Sequence, residues 1–341
     1  MDPSSAPSVC RVAAIIPALH RPDLTARCIE SVLQQGLPQA EFEIIVVENE
    51  SAKGPILSDP LPPRTRRLLL SANLGFTGAV NRGVRESSSE YVFLLNNDIE
   101  LASGCLRLLL ERVEVDPAVA IAGGRLLNAA DHSVLDGAGD ALLLGGGAYR
   151  LGHGHPDPGW FDSNEVLACC GAALLVRRKV FEQLDGLDEQ FFAYLDDMDL
   201  ALRARLAGHK IAYVPEACAF HVGSATLGER LHPKMVEWMT RNQILLVLKN
   251  YPAGLLIRLL LRIKVFQLLW FWRAVAERRV GAWFRGMLGV CGNLFSILRK
   301  RRLVQMSRRI SSAELLEALR RSESQIAAWQ SSLPGEKRSR L

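Results

Sequence analysis

The clearest candidate for chemistry in this sequence is a set of polar side chains that follows a short apolar run. Residues 91–95 are all apolar or aromatic, and Asn96, Asn97 and Asp98 come directly after them. Such a run is typical of a buried strand in a parallel sheet, and open α/β sheets bind ligands beyond the carboxyl ends of their strands. A carboxylate flanked by amide oxygens there suits a hard divalent cation that holds a phosphate. The alternative is a simple turn, which the same residue types favour.

A second set of candidates is a group of carboxylates at the predicted start of a helix. Asp196, Asp197 and Asp199 lie within the first turn of a helix predicted over residues 196–207. Helix N-termini stabilise ionised carboxylates, so one of these groups can serve as a general base, or all three can merely cap the helix. His221 follows the next predicted strand, where it is either a metal ligand or an ordinary partly buried histidine.

The elements that would position these groups alternate between strand and helix. Strands are predicted over residues 11–16, 42–47, 67–70, 91–95, 119–122, 166–176 and 211–214. Helices are predicted over residues 22–35, 75–85, 101–115, 178–184 and 196–207, and the chain is wholly helical from about residue 230. This alternation indicates βαβ units, a parallel sheet and hence an α/β fold.

The alternation breaks over residues 128–164, a stretch with several glycines and prolines that we call the excursion. Loops of this length in compact domains are often functional, so the excursion is expected to shape the substrate pocket. His153 and His155 within it have the spacing of two metal ligands, but we expect them to be surface loop residues.

Charge is distributed unevenly along the 341 residues, whose formal net charge is +5. Residues 231–341 contain 21 Lys and Arg against 6 Asp and Glu, or +15, whereas residues 1–230 contain 20 against 30, or −10. A basic C-terminal part indicates nucleic acid or an anionic membrane surface as a partner. We predict the membrane surface and no nucleic acid, because this part is rich in Leu, Trp and Phe and lacks a nucleic-acid-binding motif.

The most apolar part of that region, residues 255–272, predicts an amphipathic helix that lies in the membrane interface. It carries Arg258, Arg262 and Lys264, which make it a poor membrane-spanning helix, and the basic run at residues 299–302 suits anionic head groups. The alternatives are a soluble helix packed on the domain and a true span. The seven cysteines include no CxxC pair and the N-terminus lacks a secretory signal pattern, so we expect a cytoplasmic location at the inner face of the membrane.

Six segments, in order along the chain, carry a family resemblance. They are Ile15-Ile16-Pro17, Val46-Val47-Glu48-Asn49, Asn73-Leu74-Gly75-Phe76, Leu94-Leu95-Asn96-Asn97-Asp98, residues 191–203 and His221-Val222-Gly223-Ser224. Together they resemble the family 2 glycosyltransferases, inverting sugar transferases of the GT-A fold, and most closely the bacterial rhamnosyltransferases of cell-envelope glycan synthesis. The resemblance implies a GT-A catalytic domain over residues 1–230, a helical membrane-associating region over residues 231–330 and a disordered tail over residues 331–341.

The resemblance also assigns roles to individual residues. The nucleotide-sugar would be bound by Pro17, Arg21, Glu48, Asn73, Gly75, Asn96 and Asn97. Glu48 stands where most relatives have Asp, which makes its carboxylate one methylene longer. Asn96 stands where the family's metal motif begins with Asp, so the metal site is less negatively charged.

By the same resemblance, Asp98 and His221 hold Mg²⁺ or Mn²⁺, and Asp197 is the catalytic base. Oxygen ligands favour either ion, and an imidazole shifts the choice towards Mn²⁺. The residues implied to face the acceptor are Asp196, Gly171 and Ala172. Small residues let a sugar approach closely, although close strand packing would also favour them.

The expected function is metal-dependent, inverting transfer of a sugar from a nucleotide diphosphate, with dTDP-rhamnose as the expected donor. The acceptor would be a hydroxyl of a lipid-linked or envelope glycan. One alternative is a non-catalytic nucleotide-sugar sensor or scaffold, which needs no base. Another is a hydrolase, which needs two opposed carboxylates and a water pocket.

Overall fold

The computed structural model describes residues 10–38, 41–51, 54–157, 166–223 and 231–332. Its strands are β1 Val12–Ala18, β2 Phe42–Asn49, β3 Thr65–Leu70, β4 Tyr91–Leu95, β5 Ile99–Leu101, β6 Val119–Asn128, β7 Leu135–Gly137, β8 Asp140–Leu142, β9 Ala148–Arg150, β10 Ala173–Arg177 and β11 Lys210–His221. Its helices are α1 Pro22–Leu33, α2 Gly75–Arg85, α3 Cys105–Val115, α4 Arg178–Gln183, α5 Asp196–Leu206, α6 Pro233–Asn250, α7 Ala253–Ala276, α8 Val280–Met306 and α9 Ser312–Ser332. Ser224, the last part of the excursion and residues 333–341 of the predicted tail lie outside the described residues.

A nine-stranded sheet with the order β3-β2-β1-β4-β10-β6-β11-β5 organises the fold, and β7 pairs with β6. β3, β2, β1 and β4 pair in parallel, as the alternation of strands and helices predicts. β10 is antiparallel to both β4 and β6, and β5 is antiparallel to β11. The sheet is therefore mixed and not parallel throughout, because the excursion, and not a crossover helix, connects β6 to β10.

The excursion contains more regular structure than its composition predicts. β7 extends the sheet beside β6, and β8 and β9 form a separate antiparallel pair. Two neighbouring predictions also shift. The residues at the start of the predicted helix 101–115 belong to β5 and the turn after it, so α3 begins only at Cys105, and the strand predicted over residues 166–176 begins only at Ala173.

The central strands are buried on both faces, which explains their continuous apolar runs. Ile15 and Leu94 belong to the hydrophobic cluster on one side of the sheet, and Ile16 and Phe93 belong to the cluster on the other side. Strands that are covered on both faces need no alternation of apolar and polar residues. The buried support that the sequence predicts for Asn96–Asp98 is therefore present.

The helical C-terminal region shares its core with the sheet. The cluster that contains Ile15 continues into α6, α7, α8 and α9 through Leu246, Leu259, Ile297 and Leu319. The boundary predicted at residue 230 therefore does not separate two hydrophobic cores. The first two residues of the predicted tail, 331–332, complete α9.

α7 and α8 each expose an apolar face. The exposed apolar residues include Ile257, Leu261, Val265, Leu268 and Trp272 on α7, and Phe284, Leu288, Phe295 and Met306 on α8. Their separations are those of residues on one side of a helix. None of the helices in the described part of the chain combines the length and the apolar character that crossing a bilayer requires.

The shared core predicts that α9 contributes to the stability of the whole protein. Leu319 on α9 is fully buried, so Leu319→Ala should lower the free energy of unfolding by about 2–5 kcal/mol. Urea denaturation should show this loss in one cooperative transition. Leu303→Ala, at an exposed position of α8, should change stability by only about 0.5 kcal/mol. A separate early transition, with the main transition unchanged, would contradict the shared core.

Candidate active site

The end of β4 delivers Asp98 to one side of the site. The Asn96 backbone N–H donates to the Ala172 carbonyl at 2.9 Å, and Asn97 Nδ2 donates to Thr25 Oγ1 at 3.0 Å. These bonds tie the turn to β10 and α1, and Asp98 is only 7% exposed. β5 begins directly after this turn, at Ile99, and its pairing with β11 fixes the backbone beside Asp98.

The pairing of β5 with β11 brings His221 to Asp98. Ile99 lies opposite His221 in the antiparallel register, and His221 Nε2 is 3.4 Å from Asp98 Oδ1. Two groups that are more than 120 positions apart in sequence therefore converge as the resemblance implies. An imidazole nitrogen and a carboxylate oxygen at this separation could share one divalent cation.

Asp136 lies on β7, and it contacts the ring nitrogen of His221 that faces away from Asp98. His221 Nδ1 lies 2.8 Å from Asp136 Oδ2, and Arg150 Nη1 donates to the same oxygen at 2.8 Å. Burial alone would lower the pKa of His221, but hydrogen bonds with Asp136 and Asp98 outweigh burial and raise that pKa to about 9. A carboxylate behind a histidine is the usual arrangement behind a metal-binding imidazole, and a cation at Nε2 would have to displace the proton that this raised pKa keeps on the ring.

His153 also contacts Asp136, although the sequence predicts a surface loop position for it. Its Nδ1 lies 2.9 Å from the Asp136 carbonyl oxygen, while about 61% of the His153 side chain remains exposed. His155 packs edge-on against the Trp329 ring of α9, with the ring centroids 5.2 Å apart. The two histidines therefore have separate partners and do not converge as a ligand pair.

The start of α5 delivers Asp197 to the other side of the site. Its Oδ2 accepts a hydrogen bond from the Gly171 N–H at 2.8 Å, and its Oδ1 accepts one from the Met198 N–H at 2.7 Å. Of the three candidate carboxylates on this helix, only Asp197 is partly exposed, since Asp196 and Asp199 are buried. The structure thus leaves Asp197 as the carboxylate that can meet a substrate.

Asp196 is a different kind of carboxyl group from its neighbour. Burial, together with the nearby charge of Asp197, raises the pKa of Asp196 well above its ordinary value. A protonated carboxyl group can donate a hydrogen bond but cannot act as a base. The predicted role of Asp196 towards the acceptor is compatible with a donor and remains a prediction, as do those of Gly171 and Ala172.

Arg150 connects the two sides of the site. Besides Asp136, it contacts Cys170 Sγ through Nη2 at 2.8 Å and Asp140 Oδ1 through Nε at 3.6 Å. Asp140, Cys170 and Asp197 offer ligand atoms that all lie within 4.8 Å of one another. A cation among those three would lie beside the guanidinium of Arg150, which would repel it.

The residues predicted to hold the nucleotide surround the β1 and β2 ends of the sheet. Glu48 is fully buried, accepts hydrogen bonds from the Ile56 N–H at 2.6 Å and the Leu57 N–H at 3.1 Å, and pairs with Arg67 Nε at 3.2 Å. Both carboxylate oxygens of Glu48 therefore have protein partners, and this side chain shapes the loop after β2. Its direct contact with the base remains a prediction.

Asn73 and Gly75 belong to a compact turn on the same side. Asn49 Nδ2 donates to Asn73 Oδ1 and to the Gly75 carbonyl, each at 3.0 Å. Gly75 has a φ of +70°, and a side chain there would collide with the backbone of Phe192, so only glycine fits. Arg21 pairs with Asp23 at 2.9 Å, and that pairing, with a smaller effect of the Asp98 charge, raises the pKa of Arg21. Pro17 lies within β1.

Asp136, Asp140 and Arg150 are site residues that sequence reasoning missed. All three lie in the excursion, on or next to the short strands β7, β8 and β9. No motif marks them, and Asp136 meets His221 from 85 positions away in the chain. The only available signal is charge, since these residues interrupt an otherwise apolar and glycine-rich stretch.

Comparison with known proteins defines the class. The sequence profile described as "Glycosyl transferase family 2" matches residues 13–185, just over half of the chain. The chain therefore belongs to glycosyltransferase family 2. One solved structure, described as "Crystal structure of GalNAc-T7 with UDP, GalNAc and Mn2+", aligns with a TM-score of 0.55 and 14% identity over 72% of this chain and 49% of that chain. The predicted family, the GT-A fold and the assignment as a glycosyltransferase are confirmed.

Two of the bacterial relatives have names that refer to glycan synthesis. The chain is 27% identical over 241 residues to "O-antigen biosynthesis protein RfbC" of Myxococcus xanthus. That alignment covers 67% of this chain and 19% of the relative. The chain is 30% identical over 202 residues to "N-acetylglucosaminyl-diphospho-decaprenol L-rhamnosyltransferase" of Mycobacterium tuberculosis (strain ATCC 25618 / H37Rv). That alignment covers 52% of this chain and 66% of the relative. The chain thus spans less than two thirds of the length of both relatives.

The buried contacts of Arg150 predict a pH-dependent effect of its removal. Arg150→Met leaves the carboxylates of Asp136 and Asp140 without their shared cation and should lower the free energy of unfolding by about 2 kcal/mol. Burial raises the pKa of Asp140 to about 7, Arg150 opposes that rise and the charge of Asp197 adds to it. Asp140 is therefore neutral at about pH 5 and needs no counter-charge there, so the loss should be larger at about pH 8.

Urea denaturation of Arg150→Met at both pH values measures this difference. Arg107→Met is the matched control, because Arg107 forms an exposed pair with Glu111 on α3. Such exposed pairs contribute about 0.5 kcal/mol or less. Equal losses in the two variants, or a loss that is independent of pH, would show that Arg150 does not compensate buried charge.

Proposed function

We propose that this protein transfers a sugar, with inversion, from a nucleotide diphosphate to an acceptor hydroxyl. One observation carries the proposal: the Asp98–His221 pair and the partly exposed Asp197 carboxylate border the same group of residues around Arg150. The Asp98–His221 pair suits the departing diphosphate, and the Asp197 carboxylate suits the attacking hydroxyl. A non-catalytic sensor would need the first site alone.

Asp98 and His221 are the proposed ligands of a divalent cation. Donor atoms on one ion with bonds of about 2.1 Å lie roughly 3–3.5 Å apart, and Asp98 Oδ1 and His221 Nε2 are 3.4 Å apart. A bound Mg²⁺ or Mn²⁺ would supply a Lewis acid for the leaving diphosphate. Asn96 offers an amide oxygen where an acid would add charge, so the protein contributes a single carboxylate from this turn.

Asp197 is the proposed general base. Its two oxygens accept hydrogen bonds from the Gly171 and Met198 backbone amides, which fix the carboxylate in place. An acceptor hydroxyl is a poor nucleophile until a positioned base removes its proton as the new bond forms. Attack from the face opposite the leaving diphosphate inverts the anomeric centre.

The proposed donor is dTDP-rhamnose and the proposed acceptor is a lipid-linked envelope glycan. The support is the relative named as an L-rhamnosyltransferase that acts on N-acetylglucosaminyl-diphospho-decaprenol. Pro17, Arg21, Glu48, Asn73, Gly75, Asn96 and Asn97 form the proposed nucleotide-sugar site. An acceptor that is a diphosphate-linked lipid would lie at a membrane, and an apolar, basic C-terminal region suits an enzyme that works there.

Asp197→Asn tests the catalytic proposal. The amide keeps the size of the side chain but cannot take a proton, so kcat should fall by about 10²–10⁴-fold while affinity for dTDP in the presence of Mn²⁺ stays unchanged. Release of nucleoside diphosphate from dTDP-rhamnose and a panel of other donors measures the rate. Glu111→Gln, an exposed carboxylate on α3, serves as control. Full activity in Asp197→Asn would remove this residue as the base.

The exposed apolar faces of α7 and α8 support a peripheral position on an anionic membrane surface. Arg258 and Lys264 on α7 and Arg299 and Arg302 on α8 place positive charge on the same two helices. A basic amphipathic helix lies in the interface with its apolar side among the acyl chains. The proposed location is the inner face of the bacterial cytoplasmic membrane.

Point substitutions test this location better than deletion, because a deletion from residue 255 would remove core residues. Ile257→Asp combined with Phe295→Asp should reduce binding to anionic phospholipid vesicles at least about tenfold without lowering stability, since both side chains are exposed. Co-sedimentation measures binding. Val115→Asp, at an exposed apolar position of α3, is the control. If the double variant bound vesicles as strongly as Val115→Asp does, the apolar faces of α7 and α8 would not be the membrane-binding surface.

A further inference from the structure

The segment that leads into α5 has an unfavourable backbone conformation. Phe192, Tyr194 and Leu195 have φ values of +64°, +69° and +63°, in the left-handed region. None of them is glycine, so each holds a backbone conformation that its residue type rarely adopts. Because Asp197 follows within two residues, whatever holds this segment also decides where the Asp197 carboxylate lies.

Asn242 on α6 makes most of the side-chain hydrogen bonds to this segment, and Arg241 Nη2 adds one to the Phe191 carbonyl at 2.8 Å. Asn242 is completely buried, and its Nδ2 lies 3.0, 2.9 and 2.8 Å from the carbonyl oxygens of Phe191, Ala193 and Tyr194. An amide has only two N–H groups, so the three carbonyls must share them. Arg241 fixes the orientation of this amide, because its Nε donates to Asn242 Oδ1 at 2.9 Å.

α6 also holds the residues that follow Asp197. Lys249 Nζ lies 2.9 Å from Asp199 Oδ2, and Asn250 Nδ2 donates to Asp199 Oδ1 at 2.9 Å. Asp199 is fully buried, and although burial alone would raise its pKa, its cationic neighbours lower it. A single helix therefore fixes the chain both before and after the proposed base.

We propose that Asn242 is a positioning residue for Asp197, which makes α6 part of the catalytic apparatus. This inference rests on the proposed role of Asp197 as the base. Asn242 does not contact Asp98 or His221, which come from the sheet, so its loss should impair the base without weakening nucleotide binding. α6 lies outside the part of the chain, residues 13–185, that the family profile matches.

Two variants of Asn242 separate this role from a merely structural one. Asn242→Asp keeps the shape and the bond to Arg241 but replaces the N–H donors with an oxygen, and Asn242→Leu removes all polar contacts at similar volume. Thr240→Val is the matched control, because Thr240 is equally buried on α6 but bonds to Val236 and Trp270. Arg241→Met, which loses only part of the network, keeps the test possible if both Asn242 variants fail to fold.

The measurements are kcat and KM per folded molecule, affinity for dTDP with Mn²⁺ by calorimetry, and hydrogen exchange of residues 191–199. We expect kcat to fall by about 10–100-fold in the Asn242 variants, as a misplacement of about 1 Å can cause, with unchanged dTDP affinity and faster exchange in this segment. Thr240→Val should lose stability only. Arg241→Met should show a smaller loss of the same kind.

Two results would overturn the inference. One is a kcat per folded molecule that is equal in Asn242→Leu and Thr240→Val, and the other is unchanged exchange over residues 191–199. If the unaltered protein turns over no donor, the proposed function fails, yet the exchange measurement still decides whether Asn242 holds the segment.

Discussion

The antiparallel pairing of β5 with β11 is the constraint on which the rest of the site depends. It brings Asp98, at the end of a buried central strand, against His221, at the end of the longest strand of the sheet. Neither group could reach the other through its own local structure. A shift of this pairing by one residue would point His221 to the opposite face of the sheet.

Buried charge of both signs then completes the site. Asp136 and Asp140 would be costly so close to Asp98 and Asp197 unless a cation lay among them, and Arg150 supplies that cation from β9. The excursion is thus a structural part of the site and not only a cover over it. α9 in turn holds the excursion, because Ser322 Oγ accepts a hydrogen bond from the Leu142 N–H at 2.7 Å.

Local pattern was enough to predict the central strands and the start of α5. A strand buried on both faces must be apolar throughout, so residues 91–95 carried a clear signal. The antiparallel direction of β10 left no such signal, because direction depends on the long connection before it. Asp136 and Asn242 were missed for a related reason, since Asp136 contacts His221 and Asn242 contacts carbonyl groups of residues 191–194, all distant in sequence.

The resemblance to a family supplied roles that pattern alone left open. Asp196, Asp197 and Asp199 are alike in sequence, and only burial in the folded chain separates the partly exposed Asp197 from its neighbours. Glu48 shows the reverse case. Its place in the motif implies contact with the nucleotide, whereas the structure gives its oxygens to two backbone amides and Arg67.

The most direct test of this account is electron paramagnetic resonance of Mn²⁺ bound to the protein together with dTDP. The account predicts hyperfine coupling to a single imidazole nitrogen in the unaltered protein. That coupling should disappear in His221→Gln and persist in His153→Gln. Absence of nitrogen coupling in the unaltered protein, or coupling that survives the loss of His221, would contradict a cation held by Asp98 and His221.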